Sequence, residues 1–227
     1  MAFILSLETS TNVCSVAVHQ DGKLLANSEL HKPQSQASKL AMMIKAVLQL
    51  AEVDAKQLAA VAITSGPGSY TGLRIGTSTA KGLCYALNIP LIAIKTLDLL
   101  AYQANRWNTE KSLLCPMIDA RRMEVYCQVV DADFGVRQSI EAKIIDETSF
   151  LDFLNQERVL FFGDGVAKCR EVIQHPQAIF LNNMFPNAAE LGVMANQKLQ
   201  NQQTEDLQHF EPFYLKDFVA KKPLVKP

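Results

Sequence analysis

The chain has 227 residues, of which 20% are charged and 48% hydrophobic, and it carries a formal net charge of -1. That balance excludes an intrinsically disordered chain and a strongly basic nucleic-acid surface, so direct tight RNA binding by this chain alone is not expected. The length suits one large domain or two of about 100 residues each.

Phe3-Ile4-Leu5-Ser6-Leu7 is a short apolar run, Cys14-Ser15-Val16-Ala17-Val18 alternates, and Asp21-Gly22 is a hairpin signal before Lys23-Leu24-Leu25. Together they predict a three-strand antiparallel meander. From Gln36 to Ala51 the period is helical, with Ala37, Leu40, Ala41, Ile44, Val47, Leu48 and Ala51 on one face. A second apolar stripe, Met43, Ala46 and Leu50, leaves mainly Ser38, Lys45 and Gln49 polar. A helix apolar on two sides is buried on both, either inside the fold or against another subunit. A buried strand at Ala59 to Thr64, a helix at Gly72 to Leu87, a strand at Pro90 to Ile94 and a helix at Leu97 to Arg106 complete this half.

The second half repeats the order. Strands are predicted at Leu113 to Asp119, Glu124 to Val130 and, after a Phe134-Gly135 turn, Val136 to Ile145. Helix-like Glu147 to Asn155, strand-like Arg158 to Gly163, helix-like Val166 to Gln174, strand-like Ala178 to Leu181 and helix-like Asn187 to Gln200 follow. Two tandem units of this order, each with an acid closing its first strand (Glu8 and Asp119), predict an α/β fold of duplicated ribonuclease-H-like halves, mixed sheets flanked by helices. The halves are expected to divide at 1–108 and 109–227, with an aromatic tail, Phe210 to Lys216, that docks, and a frayed end from Lys221-Lys222-Pro223.

In such a duplicated fold a nucleotide sits between the halves on the turns after the two first strands. Close phosphate approach needs glycines there. Here the turns are Glu8-Thr9-Ser10-Thr11-Asn12 and Asp119-Ala120-Arg121-Arg122-Met123, without a glycine. Glu8, Thr9, Ser10, Ser69, Arg74, Asp119 and Arg121 remain weak candidates for a nucleotide or anion contact, with an internal ion pair as the plain alternative for Asp119 and its arginines.

Gly66 to Gly76 holds four glycines at a strand-to-helix turn. The phosphate-loop pattern fails in both registers, since the lysine slot falls on Gly72 or Arg74. What remains is a tight turn in which Ser69 or Thr71 caps free amides. Gly76 and Gly82 together cost roughly 2 kcal/mol of helix propensity, so a close neighbour is expected to offset them. This chain's own sheet, the Gln36–Ala51 helix or a second subunit all qualify. The pairing reading selects Leu40, Met43, Ile44, Val47, Leu50, Gly68, Tyr70, Thr71, Gly72, Leu73, Ile75, Gly76, Thr79, Ala80 and Leu83.

Other constellations are thin. His19, His31, His175 and His209 lack His-x-His or His-x-x-x-His spacing, so no metal site is expected. Ser69 lacks the Gly-x-Ser-x-Gly elbow of a serine hydrolase. Asp164, in Gly163-Asp164-Gly165, reads as a turn. The five scattered cysteines, without a Cys-x-x-Cys pair, read as buried thiols of a reducing compartment. No basic segment leads into an apolar one, and no run approaches the roughly 20 apolar residues of a membrane span, so a cytoplasmic protein is expected.

The stretch Gly66-Pro-Gly-Ser-Tyr-Thr-Gly-Leu-Arg-Ile-Gly76 resembles the signature of the TsaB (YeaZ) family of tRNA threonylcarbamoyladenosine biosynthesis proteins, paralogues of TsaD. Ile118-Asp-Ala-Arg-Arg-Met-Glu-Val-Tyr126, Leu7-Glu-Thr-Ser10 and Tyr214-Leu215-Lys216 are also similar, so the likeness spans Met1 to about Lys216. The resemblance implies the actin-like ATPase (ASKHA) superfamily fold and a noncatalytic partner of TsaD, which transfers threonylcarbamoyl to adenosine 37 of tRNAs. It implies a TsaB–TsaD heterodimer or, alone, a homodimer, paired through the amino-terminal helices, with the ATPase TsaE joining and tRNA reached only through the complex. No cofactor bound autonomously is expected, and an ATP or ADP shared at the complex interface is left open. The chain departs from the family in Glu8, where Asp is frequent, and in Gln36-Ala-Ser-Lys-Leu40, where His-Ser-x-x-Leu is usual. An autonomous kinase-like enzyme of the same superfamily is the alternative.

Overall fold

The computed structural model describes residues 1–33 and 35–216; the predicted frayed end at Lys221-Lys222-Pro223 lies outside the described residues. The amino-terminal meander forms as β1 (Phe3–Glu8), β2 (Cys14–Gln20) and β3 (Lys23–Leu30), paired antiparallel in sequence. Asp21 and Gly22 both take positive φ in the hairpin. Next come α1 (Gln36–Leu50), β4 (Leu58–Gly66), α2 (Tyr70–Leu87), β5 (Leu91–Lys95) and α3 (Thr96–Asn105). The second half gives β6 (Leu113–Asp119), β7 (Glu124–Val130), β8 (Val136–Ile144), α4 (Leu151–Leu154), β9 (Val159–Phe162), α5 (Val166–Cys169), β10 (Ala178–Leu181) and α6 (Ala188–Gln200).

The two sheets have the same topology. Their strand orders are β3-β2-β1-β4-β5 and β8-β7-β6-β9-β10, each with a parallel trio and an antiparallel pair. This is the duplicated mixed α/β architecture that the element order predicts. Its central strands β1, β4, β6 and β9 are apolar and almost wholly buried, as strands covered on both faces must be.

Two predicted helices shorten. Asp146 accepts the Thr148 amide at 2.9 Å, and Phe150 takes φ 67°, so 146–150 is a turn and only Leu151–Leu154 is helical. After Cys169 the chain winds through turns toward Pro176, whose ring disfavours helix at the preceding residue. Along α1, Ala37 and Ala41 face solvent and Met43 is buried, so the core stripe is Leu40, Met43, Ile44 and Val47 rather than the predicted one.

Long-range packing places the last helix of each half. In α3, Leu97, Leu100, Ala101 and Ala104 pack with Leu114, Ile118 and Phe162 of the second sheet, while Leu99 joins Ile4, Ala60 and Ile92 of the first. This helix therefore buries apolar side chains against both sheets and sits between them. Although α6 closes the second half in sequence, Leu191 and Ala195 pack on the first sheet. His19 and Ala189 share a 2.8 Å hydrogen bond, and the Lys198 ammonium donates to the Ala93 carbonyl at 2.8 Å.

Candidate functional site

A cleft of about 970 Å³ opens between the halves. Its walls are the β1–β2 turn (Ser10 to Asn12), the glycine-rich turn (Pro67 to Thr71), the β6–β7 turn (Asp119 to Arg122), Tyr126, Asp164 and the tail from Phe213 to Lys216. Parallel strands deliver these turns to one place, because all leave the carboxyl ends of β1, β4, β6 and β9.

Beneath the first turn, Glu8 is fully buried. Its Oε1 accepts from the Ser10 amide and hydroxyl, both at 2.6 Å, and its Oε2 from the Thr64 hydroxyl at 2.6 Å. Burial outweighs these bonds and raises the carboxyl to about 7. The Thr9 hydroxyl donates to the Gly72 carbonyl at 2.8 Å, and Thr11 Oγ1 accepts the Val13 amide at 3.3 Å. Glu8, Thr9 and Ser10, which this turn was expected to offer a ligand, are thus engaged inside the protein. Glu8 and Thr9 do not reach the cleft wall, whereas Ser10, Ser69, Asp119 and Arg121 do. Arg74 lies outside it, over the Tyr70 ring at 5.4 Å.

The second turn is held differently. Arg121 and Arg122 both adopt positive φ, 70° and 50°, an uncommon pairing for residues with side chains. The Lys168 ammonium braces them, donating to the carbonyls of Arg122 and Glu124 at 2.7 Å each and pairing with the Asp119 carboxylate. Asp119 therefore has an ion-pair partner, but Lys168 of α5 rather than the adjacent arginines. Asp164 ties the ends of β6 and β9 by accepting the Asp119 amide at 2.9 Å, and burial raises its carboxyl to about 6. Sequence reading took Asp164 only as a turn and missed Lys168, Tyr126 and Thr64.

The glycine-rich stretch has its neighbours inside the chain. Ser69 caps α2, accepting the Gly72 amide at 3.2 Å. A Cβ on Gly72 would lie 2.0 Å from the Thr9 carbonyl oxygen, one on Gly76 2.3 Å from Thr9 Oγ1, and one on Gly68 2.3 Å from the Ser10 carbonyl oxygen. Ordinary contact begins near 3.5 Å. The missing side chains let the start of α2 lie on the β1–β2 turn. A Cβ on Gly82 would meet nothing within 4 Å among the described residues, so none of them offsets its propensity cost.

This corrects most of the predicted pairing surface. Leu40, Met43, Ile44, Val47, Gly72, Leu73, Gly76 and Ala80 are buried in this chain's own core, because α1 and α2 turn those stripes onto the first sheet. Gly68, Tyr70, Ile75, Thr79 and Leu83 are half-buried, and Leu50 and Thr71 are exposed. Beside Leu50, at 72% exposure, the same two helices expose Met42 and Tyr85, at 62% and 84%.

The five cysteines are unpaired and buried. Among the described residues no helix is long and apolar enough to cross a membrane.

Residues 33–224 match a family model described as TsaD, tRNA N6-adenosine threonylcarbamoyltransferase. Over 227 residues the chain is 29% identical to the tRNA threonylcarbamoyladenosine biosynthesis protein TsaB of Escherichia coli K12, covering 97% of each chain. The TsaB of Haemophilus influenzae is 28% identical over 230 residues, with 97% of this chain and 96% of that one covered. The structure of YeaZ from Pseudomonas aeruginosa superposes with a TM-score of 0.82 at 27% identity, covering 95% of this chain and all of that one. An activator of 2-hydroxyisocaproyl-CoA dehydratase from Clostridium difficile, at 8% identity and a TM-score of 0.52 over 96% of this chain and 99% of that one, shares the fold alone.

Proposed function

Because the chain belongs to the tRNA N6-adenosine threonylcarbamoyltransferase family, on its TsaB (YeaZ) side, we propose that it acts in tRNA threonylcarbamoyladenosine synthesis as a noncatalytic, activating subunit. It pairs with TsaD, works with the ATPase TsaE in the cytoplasm, and meets tRNA only through the complex. One observation carries the noncatalytic reading: Glu8, Thr9 and Ser10 are engaged in hydrogen bonds inside the protein. A turn so occupied has no free carboxylate to hold a nucleotide's metal, so any ATP or ADP is held together with the partner.

The pairing surface in this reading is the outward face of α1 and α2. Met42, Ala46 and Leu50 recur every fourth residue on one exposed stripe, and Ser78, Gly82 and Tyr85 lie on the outer side of α2. Large exposed apolar side chains of this kind mark interaction sites when they cluster.

The test is co-purification with TsaD of the Leu50→Asp and Tyr85→Asp variants, with modified-nucleoside mass spectrometry in cells depleted of their own TsaB. Loss of pairing and of the modified nucleoside, with unchanged thermal stability, is the expected result. Undiminished pairing refutes the surface. Brisk ATP hydrolysis by the isolated chain refutes the noncatalytic role and supports the kinase-like alternative.

A further inference from the structure

The segment after α6 crosses the molecule. Glu205 pairs with Leu91 at the edge of the first sheet, its amide 2.9 Å from the Leu91 carbonyl. Lys81 on α2 then donates to the carbonyls of Gln208 and Phe210 at 3.2 and 3.1 Å. The Phe213 amide donates to the Ser65 carbonyl at 2.7 Å, at the end of β4. Here the backbone lies so close that a Cβ on Gly66, which has φ +112°, would be 2.5 Å from the Phe213 carbonyl oxygen. Beyond this point the chain leaves the first half. The Tyr214 ring packs at a tilt against Tyr70 with centroids 5.0 Å apart, and the Lys216 ammonium pairs with the Glu124 carboxylate on β7 of the second half. Phe213 to Lys216 form one wall of the cleft.

The two ends of this strap are held unequally. On the first half it has backbone hydrogen bonds and a buried close approach. On the second half the hydrogen bonding among the described residues is one ion pair between side chains 41% and 20% exposed. A pair of that exposure favours the closed arrangement by a factor of only roughly two to five, and salt screens it. We propose that residues 205–216 form a clasp hinged at Phe213, which closes the cleft when Lys216 engages Glu124 and uncovers it when that pair parts. Opening uncovers the half-buried Tyr126 ring and frees the Glu124 side of the already exposed turn of Arg121 and Arg122, the cleft's aromatic and cationic groups. Because Tyr214 rests on Tyr70, the first residue of α2, the clasp also links the cleft to that helix. The inference concerns the chain alone and stands whether or not α2 pairs with a partner.

The experiment is residue-resolved amide exchange on the full chain, comparing wild type with Lys216→Glu, Glu124→Lys and the double reversal. Each single reversal is expected to speed exchange of Leu215, Lys216 and the 120–124 turn by roughly two- to fivefold. The Phe213 and Glu205 amides, on the hinge side, should stay as protected as in wild type, and the double reversal should restore the turn. Raising wild-type salt from low to high concentration should speed exchange of Leu215 and Lys216, which lie away from the Lys168–Asp119 pair that salt also screens, and this supplies the reading if a variant misfolds. Unchanged exchange at 120–124 in the variants and of Leu215 and Lys216 in high salt overturns the clasp. Release of Phe213 together with Lys216 overturns the hinge, since the whole tail would then detach as a unit.

Discussion

Replacing Gly72 with alanine tests how α2 is seated. The added Cβ would lie 2.0 Å from the Thr9 carbonyl oxygen, about 1.5 Å inside ordinary contact, and the obstructing atom is backbone held in the β1–β2 turn. Neither neighbour is a flexible side-chain end, so α2 or the turn must move, and the Thr9 to Gly72 hydrogen bond moves with it. Overpacking of this kind costs about 1–3 kcal/mol, and rigid backbone places the cost toward the upper end. At roughly 2–4 °C per kcal/mol for a chain of this size, the midpoint should fall by roughly 5–10 °C. Gly82→Ala is the matched control on the same helix. Its Cβ meets nothing within 4 Å, so the helix-propensity gain of up to about 1 kcal/mol appears undiluted and the midpoint rises by roughly 2–4 °C. Thermal unfolding followed by circular dichroism at neutral pH reads both. Equal shifts in the two variants, or a Gly72→Ala protein as stable as wild type, would refute the argument that the glycines of this stretch exist for close contact with the β1–β2 turn.

Three further variants probe the buried charges. Burial raises the Glu8 carboxyl from 4.5 to about 7, so between those values the folded state holds a proton that the unfolded chain releases. Its contribution to stability is present below 4.5 and is lost as pH rises through 7. Glu8→Gln should remove that slope, gaining on wild type by up to roughly 3 kcal/mol between pH 4.5 and 7.5 in denaturant titrations; parallel curves would count against it. For His19 the sign reverses. Burial lowers its pKa, and among the described residues Nδ1 has no hydrogen-bond partner and lies where a Cβ on Gly192 would come within 2.1 Å, so stability is lost as pH falls below 6.5. His19→Gln should flatten the acid limb, with the earliest exchange changes in α6. Lys168→Met removes the ammonium from the Arg122 and Glu124 carbonyls, leaving Glu124 only the Ala120 amide, and frees Asp119. Trypsin should then cut after Arg121 or Arg122 several-fold faster, and an unchanged cleavage rate would show that the turn holds itself.

Much of this protein is written locally. Alternation in Cys14 to Val18 and in Glu124 to Val130, the Asp21-Gly22 hairpin and the helical period after Gln36 each specify a backbone conformation from neighbouring residues alone, and the duplicated element order emerges from them. The same holds for Ser69 as the α2 cap. The stretch from Gly66 to Gly76 also announced a close approach, since glycine has that use in a helix and little other.

What approaches was decided only by the tertiary structure. The neighbour of Gly72 is Thr9, 63 residues away, and the partner of Asp119 is Lys168, 49 residues away. Periodicity tells which side of a helix is apolar but carries no record of which surface covers it. For that reason Met43 and Val47 read equally well as core or as interface, and α6 gave no sign that it docks on the sheet of the other half. The burial of Glu8 has the same origin. A carboxylate ending a strand looks available in sequence, and only the packing of the Ser10 turn and Thr64 around it turns it into an internal acceptor with a raised pKa.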